Sequence, residues 1–157
     1  MGHHLELVQH INAPVEAVWR VLTDIPGSAR TLSSITRVEI MTPGDYAEGF
    51  RWRETRKMMG KEATEEMWVA DVDAPTSTTV KAHSGGADYT TRFTLAPTDG
   101  GTRLTMFFGA EMENPGTFAK VMLALFGKLG LNITRKQMAR DLAEIAAKAE
   151  GRDPAAA

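Results

Sequence analysis

The chain has 157 residues, 43% of them apolar and 24% charged, with a net charge of −2 and no cysteine. That length and mixture suit one folded domain with a real core, and they set aside chain disorder, thiol nucleophiles, disulfide frames and thiolate metal sites. Lys and Arg form no long basic run, so nucleic-acid binding is not expected.

Met1 to Val8 shows no basic segment followed by an apolar one, which predicts a cytoplasmic protein; His3 and His4 are left out of the functional argument. Leu5 to Ile11 alternates loosely and predicts a strand. After Asn12-Ala13-Pro14, the residues Val15, Val18, Trp19 and Leu22 fall at helical spacing, with Pro14 suited to the first turn and Asp24-Ile25-Pro26-Gly27 to the stop. A second helical turn is expected around Ser28 to Leu32. From Ile35 to Met112, five breaks delimit six further strands: Pro43-Gly44-Asp45, Met59-Gly60-Lys61, Asp73-Ala74-Pro75, Ser84-Gly85-Gly86 and Asp99-Gly100-Gly101. Their close spacing leaves no room for crossover helices, so an antiparallel meander is predicted.

From Gly116 or Thr117 the pattern predicts one long helix ending near Gly151, roughly 50 Å at about 1.5 Å per residue. Its first part is apolar on a wide face (Phe118, Val121, Met122, Leu125, Phe126 and Leu129). Its second part places Met138, Leu142 and Ile145 inside and Arg140, Glu144 and Lys148 outside. Gly127 and Gly130 mark a kink or a close backbone approach between the two parts. The apolar run is about 14 residues, short of the roughly 20 needed to span a bilayer, so no transmembrane segment is expected. Residues 1–150 read as the domain and 151–157 as a frayed tail.

This order of elements resembles the START/Bet v 1-like (SRPBCC) superfamily, and the residues resemble its polyketide cyclase/dehydrase-like branch. The resemblance rests on Asn12-Ala13-Pro14-Val15-Glu16-Ala17-Val18-Trp19 at the first helix and on Gly49-Phe50-Arg51-Trp52-Arg53-Glu54-Thr55-Arg56 at the third strand. Asp73-Ala74-Pro75 and Gly101-Thr102-Arg103-Leu104-Thr105 add to it. It implies an α+β helix-grip fold: a seven-stranded antiparallel curved sheet wrapped around a long C-terminal helix, with two short helices between strands 1 and 2, enclosing a cavity. The superfamily holds carriers, cyclases, receptors and co-chaperone domains, so the fold alone does not choose a function.

Alternation in the third strand puts Phe50, Trp52, Glu54, Arg56 and Met58 on one face. The aromatic pair turns that face inward and draws Glu54 and Arg56 in with it, where charged groups need partners. The pair reads either as a polar foothold for a ligand oxygen or as a structural ion pair. Tyr89, Thr91, Phe93 and Leu95 on the sixth strand, and Leu104, Met106, Phe108, Ala110 and Met112 on the seventh, read as core or pocket wall. Met58, Met67 and Met122 suit the same interior. His83 faces Asp88 and Tyr89 across the Gly85-Gly86 turn, either for proton transfer or as a surface histidine.

The expected ligand wall is therefore Trp52, Glu54, Arg56, Trp68, Tyr89, Thr91, Phe93, Met106, Phe108, Phe118, Met122 and Phe126. The candidates for chemistry are Glu54, Arg56, His83 and Tyr89. No metal-ligand spacing, dinucleotide fingerprint, phosphate loop or nucleophile elbow is present, so neither a metal nor a cofactor is expected. Three readings follow: binding or carriage of a small hydrophobic molecule such as a lipid, isoprenoid, quinone or aromatic polyketide; a cyclase or dehydratase using the same cavity; and a partner-binding module using the outer sheet face. Monomer and dimer both remain open.

Overall fold

In the computed structural model, residues 3–58, 60–84, 86–112, 116, 120 and 127–156 are described. Strand β1 (His3–Ile11) leads into α1 (Val15–Thr23) and the single turn α2 (Ser28–Thr31). Six strands follow: β2 (Ile35–Ile40), β3 (Arg51–Met58), β4 (Lys61–Asp73), β5 (Ser77–Ser84), β6 (Ala87–Thr98) and β7 (Gly101–Met112). Helix α3 (Lys128–Ala149) closes the fold. All seven strands lie in one antiparallel sheet in the order β1-β7-β6-β5-β4-β3-β2. This is the helix-grip arrangement that the order of elements implies, with both short helices between β1 and β2.

The C-terminal helix is shorter than the sequence pattern predicts. Gly127 holds an extended backbone (φ −65°, ψ 162°) immediately before α3, so the helix starts at Lys128 and has 22 residues. The break falls at one of the two glycines where a kink is expected, while Gly130 is helical. Phe118, Val121, Met122, Leu125 and Phe126, assigned to the first part of the long helix, lie outside the described residues. Among the described residues no helix is long and apolar enough to cross a membrane. Beyond Gly151 the chain forms a 3-10 turn at Pro154–Ala156 that packs on α3.

Two apolar clusters fill the two ends of the sheet's concave face. Leu5 and Ile11 of β1, Val18 of α1, Leu95 of β6 and Leu104 of β7 meet Met138, Leu142 and Ile145 of α3. Ile25, Phe50, Trp52, Val69 and Val80 form the second cluster, beneath β3, β4 and β5. Each fully buried side chain of this size stabilises the fold by about 1.5–3 kcal/mol relative to exposure. The clusters share no residue, and the space between them is where the site lies.

The far half of α3 is enclosed by more than the sheet, because α1, α2 and the 3-10 turn also pack on it. This corrects the expectation that Glu144 faces solvent. Glu144 is only 3% exposed and accepts hydrogen bonds from the backbone N–H and the hydroxyl of Ser33, each at 3.0 Å. The bonds pin the loop before β2 to the helix.

The start of β7 passes close to the end of β1. Thr102 is fully buried and donates to the Ala13 carbonyl at 2.7 Å. A Cβ on Gly101 would lie 2.0 Å from the Ile11 carbonyl oxygen, a contact only backbone movement relieves. The Gly101-Thr102 pair is thus fixed by the β1–β7 junction. Gly101→Ala is expected to destabilise the fold by about 1–3 kcal/mol, the usual range for overpacking a tight site. Urea unfolding of the two proteins measures this, and equal midpoints would show that the junction opens freely.

Candidate functional site

β3 alternates as its sequence predicts: Trp52 and Glu54 are buried, and Arg51 and Arg53 are exposed. Trp52, Glu54, Arg56 and Met58 stand opposite Met67, Glu65, Ala63 and Lys61 of β4. All of these inward residues but Trp52 form one wall of a cavity of about 260 Å3, closed by Tyr89 and Thr91 of β6, Met106 and Phe108 of β7, and Thr134, Gln137, Met138 and Asp141 of α3. A second lobe of about 120 Å3 lies toward α1 and α2, lined by Trp52, Phe93, Ile25, Leu32, Tyr46 and Ile145 among others. Both lobes share Glu54, Arg56, Met67, Val80, Thr91, Met106 and Asp141. Tyr46 donates to Thr78 at 2.7 Å, since the Thr78 hydroxyl is itself donating to the Asp71 carbonyl at 2.9 Å. This chain fixes an aromatic wall of the smaller lobe.

Arg56 is the polar centre. Its Nε donates to Glu54 Oε1 at 2.6 Å, and its Nη1 donates to Ser34 Oγ at 2.7 Å and to Asp141 Oδ2 at 2.8 Å. Glu54 Oε2 accepts from the Trp52 indole at 3.2 Å, and Gln137 donates to Asp141 Oδ1 at 2.9 Å. Nη2 makes no hydrogen bond among the described residues. Asp141 and Glu54 hold the guanidinium charged, well above its ordinary range, against the opposing effect of burial. Burial pushes the Asp141 carboxyl up, opposed by Arg56 and Gln137.

Neither Asp141 nor Glu65 was among the site residues expected from sequence, yet each had a signal. Asp141 lies three residues after Met138 and four before Ile145, within the apolar stripe of α3. Glu65 lies two before Met67 and four before Val69, so the alternation that turns those residues inward carries it inward too. Glu65 is half-buried and stands directly opposite Glu54. Burial and the neighbouring Glu54 push its carboxyl up, opposed by Arg56. Burial, with Glu65 adding to it, likewise raises the Tyr89 phenol.

Of the residues expected in the wall, Trp52, Glu54, Arg56, Tyr89, Thr91, Phe93, Met106 and Phe108 line the two lobes. Trp68 does not. Met67 faces the cavity, so strand alternation turns Trp68 to the outer face, where the Arg51 guanidinium lies 4.9 Å from its ring centroid. His83, read either for proton transfer or as a surface histidine, also lies on the outer face, because Ala82 faces in. Its Nδ1 lies 2.6 Å from Asp88 Oδ1, with both side chains more than half exposed. Phe118, Met122 and Phe126 lie outside the described residues. Among the described residues no group of three or more His, Asp or Glu is placed to hold a metal ion.

A sequence model described as "Polyketide cyclase / dehydrase and lipid transport" matches residues 2–150. The chain belongs to that family. Solved structures agree on the fold. Protein TTHA0849 from Thermus thermophilus is 21% identical, with 99% of each chain covered and a TM-score of 0.69. The Zhui aromatase/cyclase from Streptomyces sp. R1128 is 18% identical over 96% of this chain and 94% of its own, with a TM-score of 0.77. Ara h 8.0201 is 12% identical over 97% and 100%, with a TM-score of 0.74. A search of curated proteins finds no match. These neighbours share the fold, and their low identities carry over no residue's role.

The raised Glu65 carboxyl links the site to stability. Glu54, Arg56, Lys61, Tyr89 and Asp141 share its lobe. The folded state holds the Glu65 proton more tightly than the unfolded chain does. Its contribution is therefore fully present below the unfolded glutamate value of about 4.3 and is lost as pH rises through the raised folded value. Glu65→Gln is expected to unfold at higher denaturant than the parent at pH 7, with the gap closing as pH falls to about 4. Denaturation at the two pH values decides it, and a gap that persists unchanged at the lower pH would exclude the carboxyl as its source.

Proposed function

We propose that this protein binds and carries a small, largely apolar molecule that presents one oxygen acceptor to Arg56. The observation that carries the reading is an apolar cavity crossed by one guanidinium whose Nε and Nη1 are held by Glu54, Ser34 and Asp141 while Nη2 makes no hydrogen bond among the described residues. A cation fixed on three sides donates without further ordering, which favours recognition of a ligand oxygen. The two adjoining lobes, of about 260 and 120 Å3, together reach the lower end of the usual range for drug-sized ligands of about 300–1,000 Å3. That size favours a compact ring system or a short chain over a long-tailed lipid.

A cyclase or dehydratase is the second reading. It is favoured by Glu65 and Tyr89 sharing the lobe with Arg56, since a proton-transferring carboxyl beside a fixed cation suits the loss of a hydroxyl as water. The similarity to the Zhui aromatase/cyclase and to the di-domain ARO/CYC proteins BexL and StfQ points the same way.

Native mass spectrometry of gently purified protein, followed by organic extraction, distinguishes these readings. A carrier retains a stoichiometric small molecule and returns it unchanged after incubation, whereas conversion of that molecule with loss of water supports the enzyme. Arg56→Lys keeps a cation between Glu54 and Asp141 but removes Nη2, and is expected to lower ligand retention at least about tenfold with the fold preserved. Full retention by that variant would end the role given to Arg56. Arg56→Met strands two buried carboxylates and is expected to destabilise the fold by about 3–5 kcal/mol, as thermal unfolding measures.

A further inference from the structure

Three carboxylates, Glu54, Glu65 and Asp141, line the larger lobe against two cations, Arg56 and Lys61. Lys61 is exposed at the head of β4, so that Arg56 is the inner of these two cations among the described residues. Glu54 and Asp141 are committed to Arg56 by hydrogen bonds of 2.6 and 2.8 Å. Glu65 is different: it faces the same space, yet makes no hydrogen bond or ion pair among the described residues.

Its position makes that isolation expensive. Glu65 is directly across the β3–β4 ladder from Glu54, where side chains approach to about 4.5–5.5 Å between Cβ atoms and like charges repel. A half-buried carboxyl keeps only part of the solvation it has in water. A ligand hydroxyl supplies the missing donor, whereas a ligand carboxylate drawn toward Arg56 Nη2 enters a space where acidic side chains outnumber cations.

We propose that Glu65 determines ligand specificity, accepting neutral apolar molecules that carry a hydroxyl and turning away those that carry a carboxylate. The proposal rests on the reading of the cavity as a ligand site. Three matched probes separate the two claims: 2-naphthol, 2-methoxynaphthalene and 2-naphthoate, each titrated by calorimetry at pH 7 into the parent protein and Glu65→Gln. The parent is expected to bind the naphthol at least about tenfold more tightly than the naphthoate, with the methyl ether between them. In Glu65→Gln the naphthoate is expected to come within about threefold of the ether.

Equal affinity of the parent for naphthol and naphthoate overturns the proposal without needing any variant, as does an unchanged ratio in Glu65→Gln. Either result with the ether still bound leaves the cavity reading standing and removes only the role of Glu65. No binding of any probe overturns both.

Discussion

A guanidinium placed in an apolar interior has to be paired, and the way Arg56 is paired organises this molecule. Alternation in β3 leaves no choice about its direction, because Trp52 and Glu54 on the same face are buried. The partners then come from three places: Glu54 two residues away, Ser34 at the end of the loop after α2, and Asp141 on α3, 85 residues distant. One side chain therefore ties sheet, loop and C-terminal helix together. The ion cluster keeps polar groups, and the space around them, at the centre of the fold.

That arrangement explains how a cavity survives in a chain of this size. Interiors normally pack to near-crystalline density, and empty space costs contact energy along its whole lining. Here α3 rests on Leu5, Ile11 and Leu104 at one end, and the second cluster around Trp52 and Val69 props the sheet at the other. Between these supports the curved sheet stands off the helix, and the medium-sized side chains that face the gap, such as Val80, Ala82 and Thr91, do not fill it. Methionines at 58, 67, 106 and 138 border the opening, where their flexible thioethers adapt to varied shapes.

Much of the fold was legible because its signals are local. Turn residues at Asp73-Ala74-Pro75 and Asp99-Gly100 mark strand ends whatever lies beside them, and alternation in β3 needs no knowledge of neighbours. The site was legible only where one strand sufficed. Glu54 and Arg56 could be read together as an inward pair, but Asp141 meets Arg56 only once α3 has docked. Glu144 shows the same limit more sharply. A helical wheel places it away from Met138 and Ile145, and its burial depends on α2 and the loop at Ser33 covering that side. Trp68 was misplaced for the opposite reason: its aromatic ring drew it toward the pocket, although Met67 next to it already fixed its direction. The start of α3 turned on Gly127, whose extended backbone ends a pattern that composition alone carries through.

The carboxyl of Glu65, without a hydrogen-bond or ion-pair partner among the described residues, has a consequence for the life of the protein. A molecule that holds an open, charged interior is less stable empty than filled, and any occupant that binds only the folded form adds stability that grows with the logarithm of its concentration. In a cell that continuously removes unfolded chains, the filled form persists longer. The abundance of the protein would then follow the supply of what it binds, and the empty cavity would act as a quality-control signal written into the fold.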